Sequence, residues 1–407
     1  RIFKFMILMM KFKSSSFKVL SAFAVLFSLF IIYSSFRLSE NEKTIHAQAT
    51  EVLKKQVIKE ANWALIQEPI TVTASFSARS AGGKHDFYSE GDYWWPNPEN
   101  PNGPYIQKDG LTNPDNFVSH RFAMIRFSQI IGSLASAYKI TGNVKYVKHA
   151  VLHLKAWFVN PETFMNPNLL YAQAIKGLFT GRGIGIIDTI HLMDVAQGVF
   201  VMQDKMDPVD VASIKKWFSD YLSWLMSHPN GKSEMNAKNN HGTCFTMQVA
   251  SFAKLTNNQD LLNFCRDRYK TVLLPTQMAD NGSFPLEMAR TKPYGYSIFN
   301  LDAMSILCQI VSSPKDNLWE YETTDGKSIK KGINFLYPFT ADKSKWTLKP
   351  DVMYWNEWPV SQPFLVFGAI AYQQKEWFNT WKILEHDSKV AEVIRNLPVK
   401  YPLIWIN

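Results

Sequence analysis

Beyond residue 50, apolar residues recur three and four positions apart over most of the chain, the spacing that places them on one face of an α-helix. Residues 51–67 (EVLKKQVIKEANWALIQ) show the pattern first, as one amphipathic helix. From Pro69 to Asn116 it stops. Gly, Pro, Asn and Asp cluster there, as in Trp95-Pro96-Asn97-Pro98 and Asn100-Pro101-Asn102-Gly103-Pro104, which is turn chemistry. A loop-rich stretch of this length inside a compact domain is usually a functional segment. The helical period then resumes and predicts helices at 117–141, 143–158, 186–204, 208–227, 239–255, 258–273, 297–312, 328–338, 361–384 and 387–396. Asp207-Pro208 and Asn257-Asn258 read as helix starts, the former with Pro in the first turn.

Strand-like alternation is scarce, and no repeat of fixed length argues for a regular solenoid. Helices joined by short polar turns favour antiparallel hairpins. The predicted architecture is therefore all-α: a single-domain helical toroid or incomplete barrel whose groove is built from loops. No composition shift after residue 50 marks a second domain, so 50–407 is read as one unit and 1–49 as a separate leader and short linker.

Charge sharpens the leader. Six basic residues face one acid, Glu40, in the first forty positions, so this segment supplies five of the nine formal positive charges. The remainder, with 38 basic and 34 acidic residues, lacks the concentrated basic stripe that nucleic-acid binding requires. Behind the basic stretch, Val19 to Ile32 is an apolar run of fourteen residues, shorter than the span of about 20 that crosses a bilayer and matched to a secretory signal. Export to the periplasm or beyond is the expectation, with Ala47-Gln48-Ala49 as a small-x-small cleavage site or, if uncleaved, the run as a membrane anchor. Cys244, Cys265 and Cys308 lack CxxC spacing and read as buried thiols, with a Cys244–Cys265 bridge as the alternative in an oxidising compartment. The 407 residues are 46% apolar, enough for a large core, and 13 Trp leave aromatic faces to spare for stacking on sugar rings.

Two segments about fifty residues apart carry the candidate chemistry. Asn239-Asn240-His241-Gly242 opens a predicted helix, where amide dipoles favour an anion. Phe284-Pro285-Leu286-Glu287 is followed by Arg290, Tyr294 and Tyr296 in a loop before the helix expected at Ser297. Amide, imidazole, guanidinium and phenol together suit removal of a proton next to a carboxylate without a metal or cofactor: one part neutralises the carboxylate, another takes the proton. Taken singly, each segment also reads as plain structure, the asparagines as caps and Arg290 paired with Glu287.

In order along the chain, Asn240-His241, Leu286-Glu287-Met288-x-Arg290 and Tyr296 resemble the alginate lyase superfamily of polysaccharide lyases, notably families 5 and 38. Asp92-Tyr93-Trp94-Trp95-Pro96-Asn97-Pro98 through Gly110 resembles the substrate-groove loop of that superfamily, and the similarity spans about residues 55–390. The resemblance implies an (α/α) toroid and metal-independent β-elimination on an acidic polysaccharide such as mannuronate-rich alginate or glucuronan. Under it Asn240 holds the uronate carboxylate, and His241 neutralises it or acts as base. Arg290 supports the charge, and Tyr296, in preference to Tyr294, protonates the leaving oxygen and is the other candidate base. Tyr93, Trp94, Trp95, Tyr105, Lys108, His120, Arg121, Arg182, Asn239 and Tyr294 are the expected substrate contacts.

Other clusters are weaker. Arg182 in Gly181-Arg182-Gly183-Ile184-Gly185 precedes Asp188 and His191, without the strand a nucleotide fingerprint needs. His149 and His153 have metal-ligand spacing but no third ligand in pattern. A helical-toroid glycoside hydrolase would need paired carboxyl groups such as Asp92 and Asp188. A non-catalytic carbohydrate-binding protein would use the aromatic loop alone.

Overall fold

The computed structural model describes residues 45–406, and the apolar run 19–32 with its basic flank lies outside them. The chain divides into two compact units, 1–48 and 49–407, of which the first is almost wholly outside the described residues. The second unit is mostly helical, with strand at 4%, and its helices do not close into a barrel. The fold is an (α/α) toroid.

Its helices are α1 (residues 45–64), α2 (Ser119–Thr141), α3 (Lys145–Phe158), α4 (Leu192–Met202), α5 (Pro208–Ser227), α6 (Pro229–Met235), α7 (Asn240–Leu255) and α8 (Gln259–Arg268). They continue with α9 (Leu274–Gln277), α10 (Pro285–Met288), α11 (Pro293–Val311), α12 (Ile329–Ala341), α13 (Pro363–Tyr372), α14 (Lys375–Ile383) and α15 (Ala391–Arg395). The neighbours α2 and α3, α7 and α8, and α13 and α14 pack on each other, and longer-range contacts join α2 to α4, α7 to α11 and α11 to α13. Local chemistry starts several of them. Asp207 caps α5 ahead of Pro208, Asn258 caps α8, and Ser328 caps α12. Gly142, at φ 68°, ends α2 in the left-handed conformation that costs glycine nothing.

The core uses the aromatic surplus. Trp157 and Trp381 are fully buried, and Phe127 stacks on Trp157 at 4.7 Å between ring centroids. All three cysteines are buried free thiols, so the alternative Cys244–Cys265 bridge does not form; Cys265 Sγ instead faces the Thr246 carbonyl at 3.5 Å. The apolar stretch Gly183–Lys205 is long enough to span a bilayer by composition, but 78% of it is buried in this unit as a core element.

Several boundaries depart from the periodicity. The expected 361–384 helix is two, because Gln373 takes a left-handed φ of 56° between α13 and α14. The first half of 186–204 is a 3-10 helix, Gly183–His191, leading into α4. The expected α11 start at Ser297 moves to Pro293, so Tyr294 and Tyr296 belong to a helical turn, not a loop. The long loop-rich segment holds β1 (Tyr88–Glu90), β2 (Trp94–Trp95) and β3 (Ile106–Gln107); β2 pairs antiparallel with β3, and β1 pairs in parallel with β4 (Tyr171–Ala174), which follows α3. These strand pairs are too small to form a core, and they present residues to one face of the helical layer.

Candidate active site

The N-termini of α7 and α11 and the β2–β3 hairpin meet around a cavity of about 400 Å³. α7 starts where it does because Asn239 Oδ1 accepts from the His241 amide at 3.3 Å. Gly242 lets this start approach the end of α6, since a Cβ there would lie 2.2 Å from the Ala237 carbonyl oxygen. The first turn of α11 is held from a distance: Asp351 accepts from the Tyr294 and Gly295 amides, both at 2.9 Å. Free amides of a helix start are thereby satisfied, and Tyr296 is fixed in the same first turn.

Three carboxylates each hold one cavity-lining polar group. Glu287, at the N-terminal end of the second segment, accepts from the Asn240 amide at 2.6 Å and from its Nδ2 at 2.7 Å. Glu234 on α6, 1% exposed, accepts from His241 Nδ1 at 2.6 Å, which leaves Nε2 for the cavity. Asp109, at the end of the hairpin, takes Arg290 at 2.8 Å from the terminal nitrogen and 3.3 Å from Nε. Arg290 therefore does not pair with Glu287 as one sequence reading had it.

These pairs set the ionisation states. Burial opposes a charge on His241, but the adjacent Glu234 outweighs it and raises the imidazole pKa above its ordinary value. Burial also opposes the Arg290 charge and is overcome by Asp109, so the guanidinium stays cationic. Tyr296 behaves oppositely. Burial, reinforced by Tyr93, pushes its phenol well above the usual range although Arg290 pulls it down. The phenol oxygens of Tyr93 and Tyr296 lie 2.7 Å apart, and Arg290 reaches the Tyr296 oxygen at 3.4 Å.

A cation that the sequence gave no reason to select sits behind the phenols. The Lys292 ammonium is 5.2 Å from the Tyr93 ring centroid and 5.4 Å from that of Tyr296, and is paired with Glu392 at 2.7 Å. Glu392 also accepts from Arg395 at 3.0 Å, and Arg395 reaches Asp92 at 3.1 Å. The short helix α15 thus carries two buried charges into the site, and Arg395 and Asn396 line the cavity.

Tyr93, Trp94, Arg182, Asn239, Asn240, His241, Arg290 and Tyr296 all line this cavity, among the residues singled out from sequence. Six others do not. Tyr294 is fully buried, packs against Trp346 and Trp355, and donates its hydroxyl to the Phe339 carbonyl at 3.1 Å. His120 is a brace: Nδ1 accepts from the Tyr88 amide and Nε2 donates to the Ser75 carbonyl, each at 2.9 Å. Arg121 is buried between Asp92 at 2.7 Å and Asp188 at 3.4 Å, behind the cavity floor. Trp95 and Lys108 pair with each other, the ammonium 5.0 Å over the indole, because successive strand residues face opposite sides and Trp94 takes the cavity side. Tyr105 lies outside as well, under Lys176 at 5.6 Å.

Arg182 stands 5.8 Å over Trp94, and its Nε donates to the Gln173 carbonyl at 2.9 Å. Gln173 holds a positive φ of 47°, a strain of the kind that persists where surrounding structure over-determines a position. Burial lowers the Arg182 pKa to about 10. Asp188 is tied to Ser89 at 2.5 Å, and burial takes His191 down to about 3, so this pair is structural. His149 and His153 both turn Nε2 to the Gln67 carbonyl at 3.1 Å.

The residues that sequence reasoning missed are chiefly the holders: Glu234, Asp109, Lys292, Glu392, Arg395 and Gln173. Asp109 carried a signal, as the Asp of an Asp-Gly turn inside the groove loop. Glu392 and Arg395 carried none, since their partners lie about a hundred and three hundred residues away.

Comparison with known proteins gives concordant results. A family model described as alginate lyase matches residues 71–346. An alginate lyase structure from Bacteroides ovatus is 29% identical, covers 90% of this chain and 97% of its own, and superposes with a TM-score of 0.77. Alginate lyase A1-III from Sphingomonas species A1 is 12% identical with a TM-score of 0.54, covering 86% of this chain and 94% of its own. A histidine-to-alanine variant of A1-III complexed with a tetrasaccharide has a TM-score of 0.56 at the same identity and coverage. At that identity the A1-III likeness speaks for the fold alone. No curated protein sequence matches significantly.

Proposed function

The chain belongs to the alginate lyase family and is a polysaccharide lyase, and from that premise we propose that it cleaves a β-1,4-linked polyuronate, mannuronate-rich alginate or glucuronan, by metal-independent β-elimination. The observation that carries this reading is the convergence of Asn240, His241, Arg290 and Tyr296 on one cavity, the first three each held by its own carboxylate.

Elimination removes the C5 proton, expels the C4 oxygen and leaves a C4–C5 double bond. The C5 proton is weakly acidic while the neighbouring carboxylate is anionic. A cationic His241, donating through Nε2, and the Asn240 amide supply the neutralisation that would otherwise require a metal. A histidine whose protonated form Glu234 favours, and which faces an anionic substrate, is the less suited of the two to act as base. The C5 proton therefore goes to the Tyr296 oxygen, whose phenol burial and Tyr93 hold neutral and which must first give its proton to solvent; Arg290, at 3.4 Å from that oxygen, lowers the cost of the phenolate. The same oxygen then returns a proton to the departing C4 oxygen. One residue can do both in β-mannuronate and β-glucuronate because the C5 hydrogen and C4 oxygen share a face of the ring. In guluronate they lie on opposite faces. Arg182 over Trp94 suits the carboxylate and ring face of an adjoining sugar. The basic leader and apolar run support export, which brings the enzyme to an extracellular polymer.

A panel of polymannuronate, polyguluronate, glucuronan and hyaluronan, followed by ultraviolet absorbance of the unsaturated ends, tests the proposal. Mannuronate polymer or glucuronan should give absorbance, unchanged by a chelator, with polyguluronate the poorest of the three non-hyaluronan substrates. New reducing ends carrying solvent oxygen and no double bond would instead identify a hydrolase.

A further inference from the structure

A second cavity of about 350 Å³ lies behind α15, bounded by α1, α2 and the segment 387–401. Its size falls at the lower end of the range of about 300–1,000 Å³ typical of small-ligand sites. Ile394 faces it while the next two residues, Arg395 and Asn396, line the active cavity, so α15 is a partition between the two.

The wall chemistry is specific. Trp63 is 39% exposed, whereas Trp157 and Trp381 are fully buried, and its ring stacks on no other aromatic ring among the described residues. Lys59 stands one turn before it on the same face of α1. Across the cavity, Lys389 keeps a side chain 76% exposed although it pairs with Asp387 at 2.6 Å, and Gln129 and Ser388 add hydrogen-bonding groups. The acids are already engaged: Glu60 accepts from Tyr401 at 2.7 Å, and Lys400 lies 3.8 Å from Glu60 and 3.7 Å from Asp387. What remains for a ligand is a flat aromatic face, the Lys59 ammonium, the exposed Lys389 ammonium that shares Asp387, and neutral donors. That combination fits a sugar ring bearing a carboxylate.

Resting on the polyuronate reading above, we propose that this cavity is a non-catalytic binding site for a short stretch of the uronate chain. Trp63 stacks on a ring face, Lys59 and Lys389 take carboxylates, and the polymer is held on the far side of α15 from the reacting sugar.

The test uses full-length Tyr296→Phe protein, in which turnover should be slowed at least about a hundredfold, titrated calorimetrically with mannuronate tetrasaccharide. Two binding events are expected. Adding Trp63→Ala, or separately Lys389→Ala in case the first lowers the melting temperature, should remove one event or weaken it at least tenfold. A single event insensitive to both substitutions overturns the second site. Equal binding of a neutral β-1,4-glucan tetrasaccharide there overturns the uronate class. The wild-type absorbance assay separates the two ideas: cleavage with one binding event removes only the second site, whereas no cleavage of any polyuronate removes the substrate reading as well.

Discussion

At the residue scale the cavity sets polar groups against buried neighbours that bias their ionisation. Glu234 makes the sharpest test. Its carboxylate raises the His241 pKa, so Glu234→Gln lowers it. If His241 must be cationic, activity is lost as pH rises through its pKa, and the substitution moves the alkaline limb of kcat/KM to lower pH. If His241 were the base, activity would be gained on rising through that pKa, and the acid limb would move instead. A pH–rate profile of the variant decides between them. Tyr296→Phe should reduce kcat by about 10²–10⁴-fold, the usual range for a lost acid–base group. Tyr294→Phe is the contrast: its hydroxyl serves the Phe339 carbonyl, so its loss should cost about 1 kcal/mol in stability, read by denaturant melts, and leave kcat within about twofold. That Asn240, His241, Arg290 and Tyr296 share one cavity was legible in the sequence as ordered motifs. Their holders were not, because a carboxylate such as Glu234 looks like any surface acid until α6 folds it against His241.

At the scale of elements, the errors have a common cause. Helices whose caps lie nearby in sequence, such as α5, α7 and α8, begin where local chemistry says. α11 begins four residues before its expected start because its cap, Asp351, lies 57 residues beyond Tyr294. α6 was missed because Pro229-Asn230-Gly231 reads as a turn, yet His228 Nδ1 accepts from the Asn230 amide at 3.1 Å and Pro229 occupies its first turn. A remote cap has a functional consequence, since α11 carries Tyr296. Asp351→Ala should cost about 1–2 kcal/mol, as loss of a cap does, and lower kcat as well by loosening the turn that aims the phenol. Thermal melts and kcat measured on the same protein check this. A stability loss with unchanged kcat would mean that Tyr93 and Arg290 hold Tyr296 without help from the helix start.

Over the whole molecule, the cavity is an electrostatic trap built from distant parts of the toroid. Arg182, His241, Arg290 and Arg395 line it with Asp92 and Asp109, and behind this lining Lys292 sits with Glu392 of α15 and the holders Glu234 and Glu287. On the lining itself the basic side chains outnumber the acids, although the chain outside its leader is nearly balanced. A polyanion is therefore drawn to this groove by local field and not by net charge. The reacting contacts are short and partly buried, while approach of the polymer is long-range and exposed to screening. Raising ionic strength from about 0.01 to about 1 M shortens the screening length from about 30 Å to about 3 Å. KM for the polymer should then rise steeply while kcat, set by buried pairs such as His241–Glu234, changes little. Initial rates across a salt series measure both. A parallel fall in kcat would mean that salt reaches the pairs themselves, and the ionisation states argued for His241 and Tyr296 would have to be assigned to a more open site.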